Sequence, residues 1–316
     1  MRFAICLATL ALLIGNVCVA DNYQLEGVPF TPPTNVDVIW GIPVTNLPSN
    51  LWVYKVHNTS FSWAVISNLL RIGSLHLVNR QRNDQFMQKY DTNYMRFAVK
   101  NDKGLTLHML NVSPSRGGID YIDQSGEPKA PLEEGPSEQE VFQFANDFMF
   151  QAGIDRTEID PKPRAGMVTT SQRANGSSMG PAFHTERGVM YQRIIDGVDE
   201  RGSCLTINYG AHGKILSYQI KWRNLVPYEP CAIATTNEIV DFIRSGKAKL
   251  YPPDELGIVG QITRIKVFKF FPTYYSLPSE DYRPLPFEFP YAELVVEADY
   301  GNTNTVLYVN CPLIKN

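Results

Sequence analysis

The residues with the best claim to chemistry are Asn175-Gly176-Ser177-Ser178-Met179-Gly180, because Gly176, Ser178 and Gly180 fit G-x-S-x-G, the spacing of a nucleophile elbow. An elbow works when a buried strand ends in a strained turn that lifts the serine and a following helix aims amide donors at the oxyanion. Neither flank fits. The preceding TTSQRA is polar, Pro181 follows the motif at once, and AFHTERG carries no apolar helical periodicity. The triad order also requires an acid and then a histidine downstream, and the histidine available there, His212, sits in a Gly-Ala-His-Gly turn. A serine hydrolase using Ser178 is therefore the least supported function, and no catalytic residue is expected.

Other groupings are weaker still. His184 and Glu186 form H-T-E rather than H-E-x-x-H, and a two-residue offset splays side chains on any helix. Asp196, Asp199 and Glu200 in IDGVDERG read as a solvated acidic hairpin, with weak calcium binding as the alternative. The five histidines are scattered and no C-x-x-C occurs, so neither a metal site nor a cofactor is expected. The dense aromatic set Phe268, Phe270, Phe271, Tyr274, Tyr275, Tyr282, Phe287, Phe289 and Tyr291 suits core packing, with any exposed edge forming a partner-binding face. Three sequons, at Asn58, Asn111 and Asn175, suit glycosylated surface loops in a secreted chain.

The N-terminus carries that last inference. Arg2, an apolar run from Phe3 to Ile14, and small residues at Val19 and Ala20 make residues 1–20 a secretory signal peptide. No later segment reaches the roughly 18 uninterrupted apolar residues of a membrane span. The mature chain is thus expected to be secreted and extracellular. A net charge of -3 offers no basic stripe for nucleic acid and no acidic block for mineral, so partners must be recognised by shape. Cys6 and Cys18 leave with the signal peptide, and Cys204, Cys231 and Cys311 remain, which suggests one disulfide and one spare thiol.

Three helical patterns would position the rest. Residues 137–153 begin with a Ser137/Glu140 capping box, place Val141, Phe142, Ala145, Phe148, Met149 and Ala152 on one face, and stop at Gly153. Residues 60–73 and 235–246 repeat this design, the latter with Thr235 and Glu238 as its box. Each is followed by alternating strands, at NYMRFAVK, LTLHMLN and GGIDYID, then GVMYQRIIDGV, CLTINYG and ILSYQIKWR, then ITRIKVFKFF, YAELVVEADYG and TVLYVNC. The expected fold class is α+β, with repeated units of one helix packed on an antiparallel meander sheet, divided as 21–125, 126–230 and 231–316. Residues 155–187 should be a long exposed loop in the second unit. Cys231 precedes the third helix and Cys311 closes the final strand, so Cys231–Cys311 is the favoured disulfide, stapling the third unit.

The cadence of the second unit adds a resemblance. Tyr191, Asp196-Gly197, the meander Leu205 to Tyr218, Trp222-Arg223, Pro227 and the new capped helix resemble the PepSY-like and YycH/YycI-like secreted domains, best over residues 117–250. The resemblance implies a PepSY/cystatin-like module without catalytic residues, of the kind found in protease propeptides and in regulators that dock onto a sensor's outer domain. The expected function is a secreted protein-binding or regulatory module, including a peptidase-inhibitor-like role, whose partner is another extracellular protein. An extracellular structural or matrix component is the alternative.

Overall fold

The computed structural model describes residues 27–43, 51–75, 91, 93–125, 133–175, 178–251, 256–275 and 286–314. The expected signal peptide lies outside the described residues.

Three helices form where their caps predict. Helix α1 (Trp63–Ile72) starts at Ser62, whose hydroxyl accepts from the Val65 amide at 3.2 Å. Helix α2 (Glu138–Ala152) has the full Ser137/Glu140 capping box and ends on Gly153 at φ 71°. Helix α3 (Thr236–Arg244) has the matching Thr235/Glu238 box. A short fourth helix, α4, spans Leu256–Val259.

The strands are β1 (Val28–Pro29), β2 (Asp37–Trp40), β3 (Leu51–His57), β4 (Met95–Lys100), β5 (Thr106–Ser113), β6 (Gly118–Asp123), β7 (Arg164–Asn175) and β8 (Ser178–Ile195). They continue with β9 (Val198–Tyr209), β10 (Ile215–Lys221), β11 (Asn224–Cys231), β12 (Lys249–Tyr251), β13 (Ile262–Tyr275), β14 (Phe287–Glu288), β15 (Pro290–Tyr300) and β16 (Thr303–Pro312). The helices and nearly all the expected strands are present, but their assembly is not the repeat of helix-on-meander units expected from the sequence. The protein is largely β. One 13-stranded mixed sheet runs β1-β12-β16-β15-β13-β9-β10-β6-β5-β4, with β2 beside β13 and β7 beside β8; a second, three-stranded sheet is β11-β3-β14.

Two features defeat the repeat. First, β9 serves two neighbourhoods: Asp199, Glu200 and Arg201 pair in parallel with Thr273, Tyr274 and Tyr275 of β13, while Cys204 to Tyr209 pair antiparallel with β10. Second, the helices do not take one meander each. Ile66 and Leu69 of α1 share a core with Val141, Phe148 and Met149 of α2, against Leu110, Ile119, Leu205 and Tyr218 of the sheet. A second core gathers Ile239, Phe242 and Ile243 of α3 with Ile265, Leu294, Val309 and, from the small sheet, Leu51 and Tyr54. We call these the helical core and the C-terminal core. Complete burial of a side chain such as Leu69 or Leu110 contributes about 2 kcal/mol.

The expected loop at 155–187 is also corrected. Its second half is the outer part of a long hairpin in which β7 pairs with β8 from Arg164↔Met190 to Asn175↔Ser178. Backbone pairing stabilises this strand pair, and its polar sequence shows no apolar alternation. At the other end, β8 turns into β9 through Asp196 (φ 53°) and Gly197 (φ 77°), a two-residue hairpin connection of the primed type.

Candidate functional site

Of the N-G-S-S-M-G stretch, Gly176 and Ser177 lie outside the described residues, and the rest flanks them in the β7–β8 hairpin. Asn175 closes β7, Ser178 opens β8 and the two are register partners. A strand follows the serine where an elbow requires a helix, so the geometry that would activate it is absent. His184 is the register partner of Thr170, and His212, at φ 58° in its turn, faces Glu133 at 3.1 Å on the surface. Among the sequons, Asn58 is exposed just after β3 and Asn175 ends β7, but Asn111 is not in a loop. It lies within β5, and its Oδ1 accepts from the Tyr94 hydroxyl at 2.7 Å and from Arg96 Nε at 2.9 Å. Cys204, Cys231 and Cys311 are free thiols in this structure, so the expected Cys231–Cys311 bond is not formed. Cys311 pairs with Ala292 in the large sheet, whereas Cys231 pairs with Leu51 in the small one.

The acidic turn is where the sequence reading fails most informatively. Asp199 is solvated, its side chain 43% exposed and 3.3 Å from Arg164, whereas Asp196 and Glu200 turn to protein partners; among the described residues no group of three or more His, Cys, Asp or Glu side chains could hold a metal. The Asp196 carboxylate accepts from the Tyr54 hydroxyl at 2.8 Å and the Tyr274 hydroxyl at 2.7 Å, while Tyr274 also accepts from the Trp52 amide at 3.0 Å. Burial and the adjacent Asp196 push both phenols well above their ordinary range, so both remain donors. Glu200 is entirely buried.

The burial of Glu200 follows from a bulge. Register jumps from Gln192↔Cys204 to Arg193↔Glu200, so Arg201, Gly202 and Ser203 have no register partner on β8, with Gly202 at φ 95°. The Gln192 side-chain amide donates to the carbonyls of Glu200 and Ser203 and holds the bulge closed. This bulge lies at the seam between the cores: Tyr191 and Leu205 belong to the helical core, Ile195 and Val198 to the C-terminal core.

Arg193 is the hub of the seam. Its Nε and Nη2 donate to Glu158 Oε2 at 2.8 and 2.6 Å, and its Nη1 donates to the Arg223 carbonyl at 2.8 Å and lies 3.4 Å from Glu200 Oε2. Its guanidinium stacks over the Trp222 ring at 5.0 Å, and Trp222 Nε1 donates to the same Glu158 oxygen at 3.2 Å. Arg223 and Glu288 are buried beside this group. Burial pushes the Glu200 carboxyl up to about 7 against the opposing pull of Arg193. Burial likewise pushes Glu288 up, and the neighbouring Glu200 adds to it.

An open cleft of about 380 Å³ runs along the outside of the seam, lined by Thr59, Ser60, Asp155, Glu158, Arg193 and Trp222 among others. All three guanidinium nitrogens of Arg193 are already occupied, so this arginine is not available to grip an anion in the cleft. Chemically, the arrangement is a charge-paired joint. The sequence reading missed Glu158, Arg193, Glu200 as a buried group, and Glu288. A signal existed: Arg193 falls between Tyr191 and Ile195, and Glu200 follows Val198, all in the inward phase of their strands.

No protein-family model and no curated protein matches the chain. Among solved structures it is similar, at 9% identity, to an uncharacterized protein from Eubacterium rectale, with 83% of each chain covered and a TM-score of 0.46. It also shows a distant similarity to the C-terminal domain of YpeB from Bacillus megaterium, at 9% identity over 82% of this chain and 100% of that one, with a TM-score of 0.35. Among the described residues no helix is long and apolar enough to cross a membrane.

Proposed function

We propose that the chain is a secreted, non-catalytic binding module that engages another extracellular protein through the β7–β8 hairpin. The observation that supports this reading most is the free side of β7: among the described residues it pairs only with β8, leaving a 12-residue edge with exposed Arg164, Ala165, Val168 and Thr170. An extended segment of a partner can add to such an edge through main-chain hydrogen bonds. Three register shifts, at Ala165/Val168, Thr169/Thr170 and Gln172/Ala174, break the edge into short runs, which discourages indiscriminate pairing. The cadence shared with PepSY-like and YycH/YycI-like domains supports the finer reading, a regulator or peptidase-inhibitor-like module.

The test is to replace residues 173–181 by Asn-Gly, joining the register partners Gln172 and Ala182 through a two-residue turn. Because this leaves every residue named in the two cores in place, folding stability should stay within about 0.5 kcal/mol of the unaltered protein. The stoichiometric partner captured from the host's extracellular medium by the full chain should bind at least about tenfold more weakly, a loss of about 1.4 kcal/mol. Undiminished capture by the shortened chain would refute the outer hairpin, beyond Gln172 and Ala182, as part of the binding element.

A further inference from the structure

The seam holds more acid than its cations balance. Two buried guanidiniums, Arg193 and Arg223, face three carboxyl groups, Glu158, Glu200 and Glu288, and only Glu158 reaches solvent. Glu200 Oε1 and both Glu288 oxygens are buried without a hydrogen-bond partner among the described residues, and the nearby Ser203 hydroxyl favours the ionised form of Glu200 alone. Two ionised carboxylates are acceptors only, so neither can satisfy the other. A proton on one of them supplies the missing donor, and it also reduces the five charges to two positive and two negative.

We propose that Glu200 and Glu288 form an acid pair that shares one proton at neutral pH, and that this proton latches the seam between the two cores, so that raising the pH loosens it. Carboxyl groups within reach of each other and out of water cannot both ionise cheaply. Arg193 from β8, Arg223 from the β10–β11 connection and Glu158 from the segment after α2 act on the pair, while Tyr54 of β3 and Tyr274 of β13, the register partners of Glu288 and Glu200, are tied to Asp196 of the β8–β9 turn. Both arginines favour ionisation of both carboxyls, Glu158 opposes that of Glu200, and burial outweighs the arginines for both.

The sign follows from proton counting. An unfolded glutamate releases its proton near pH 4.5, while the folded pair retains it to about 7 or above. The folded state therefore binds more protons throughout that window, and stability is full below it and falls as pH rises through it. The folding equilibrium constant should drop by up to about tenfold per pH unit for each proton retained. Asp123 acts in a separate range and with the opposite sign: burial would raise it, but Lys214 and Ser125 hold it below the ordinary carboxylate range, so its contribution is lost only as pH falls.

The experiment is a carboxyl-carbon NMR titration of the full mature chain labelled at glutamate, paired with denaturant unfolding at pH 5 to 9. The expected result is glutamate resonances titrating above about pH 6, the assignment confirmed by their loss in Glu200→Gln and Glu288→Gln. Stability should fall with pH in the unaltered protein and depend much less on pH in Glu288→Gln, whose carboxamide is a permanent donor. Amide exchange at Val198–Ser203 should accelerate between pH 6 and 8.5 beyond the intrinsic rate change. The pair would be refuted if every glutamate titrated below about pH 5.5. A Glu288→Gln profile parallel to that of the unaltered protein would refute the latch. Where a variant fails to fold, titration of the unaltered protein decides alone.

Discussion

Replacing Arg193 by methionine should lower folding stability by about 3–5 kcal/mol, read by denaturant unfolding at neutral pH. Methionine retains most of the aliphatic stem, so the loss reports the guanidinium and not a void. That guanidinium joins Glu158, Glu200, the Arg223 carbonyl and the Trp222 ring, and its side chain is only 4% exposed. Without it, Arg223 alone would face Glu200 and Glu288, and an uncompensated buried carboxylate must either ionise at high cost or bind a proton. Two companions sharpen the expectation. Arg193→Lys should recover only part of the loss, because an ammonium cannot fork between Glu158 and Glu200. The double variant Arg193→Met with Glu200→Gln should be less destabilised than the two single losses summed, since the glutamine removes the charge that the arginine was there to compensate. A methionine variant with unaltered stability would mean that the seam is held by apolar packing alone.

Gly117→Ala should be nearly as damaging, on the order of 3 kcal/mol, although it adds a single methyl group. Gly117 has φ 61°, and a Cβ there would stand 2.4 Å from the Trp222 carbonyl oxygen and 2.8 Å from Arg223 Cα. Its own carbonyl accepts from the Trp222 amide at 2.6 Å, so the start of β6 is clamped against the exit of β10. Both backbone strain and collision therefore fall on the residues that carry Arg193's platform. Gly104→Ala isolates the first contribution: Gly104 has φ 77° but nothing within 4 Å of the added methyl, and it should lose only about 1 kcal/mol. Equal losses at the two glycines would remove the clamp from the account.

The contrast between helix and sheet explains what could be read in advance. Ser137 with Glu140, and Thr235 with Glu238, lie within four residues of each other, and the caps they form are decided locally. The strand pattern Leu205-Ile207-Tyr209 likewise reports one buried face. Which strand lies beside which is not a local property. The parallel pairing of Glu200 with Tyr274 depends on segments over 70 positions apart, and so the large continuous sheet stayed hidden behind three correct helices. The acidic turn misled for a related reason. Asp196, Asp199 and Glu200 read as solvent-seeking, but Tyr54, Arg193, Arg223 and Tyr274 are brought to them only by the fold. Conversely, that no helix follows Ser178 was legible locally, because Pro181 and the polar AFHTERG are its own neighbours and a strand stands there.

Binding through the hairpin edge is the claim on which the functional account turns, and backbone amide exchange on the chain alone and in its captured complex tests it most directly. The account predicts that binding slows exchange along Arg164–Thr170 of β7, while amides lining the cleft at Thr59, Ser60 and Trp222–Leu225 are unchanged. Protection confined to the cleft, with the β7 edge exchanging as fast as in the free chain, would contradict it.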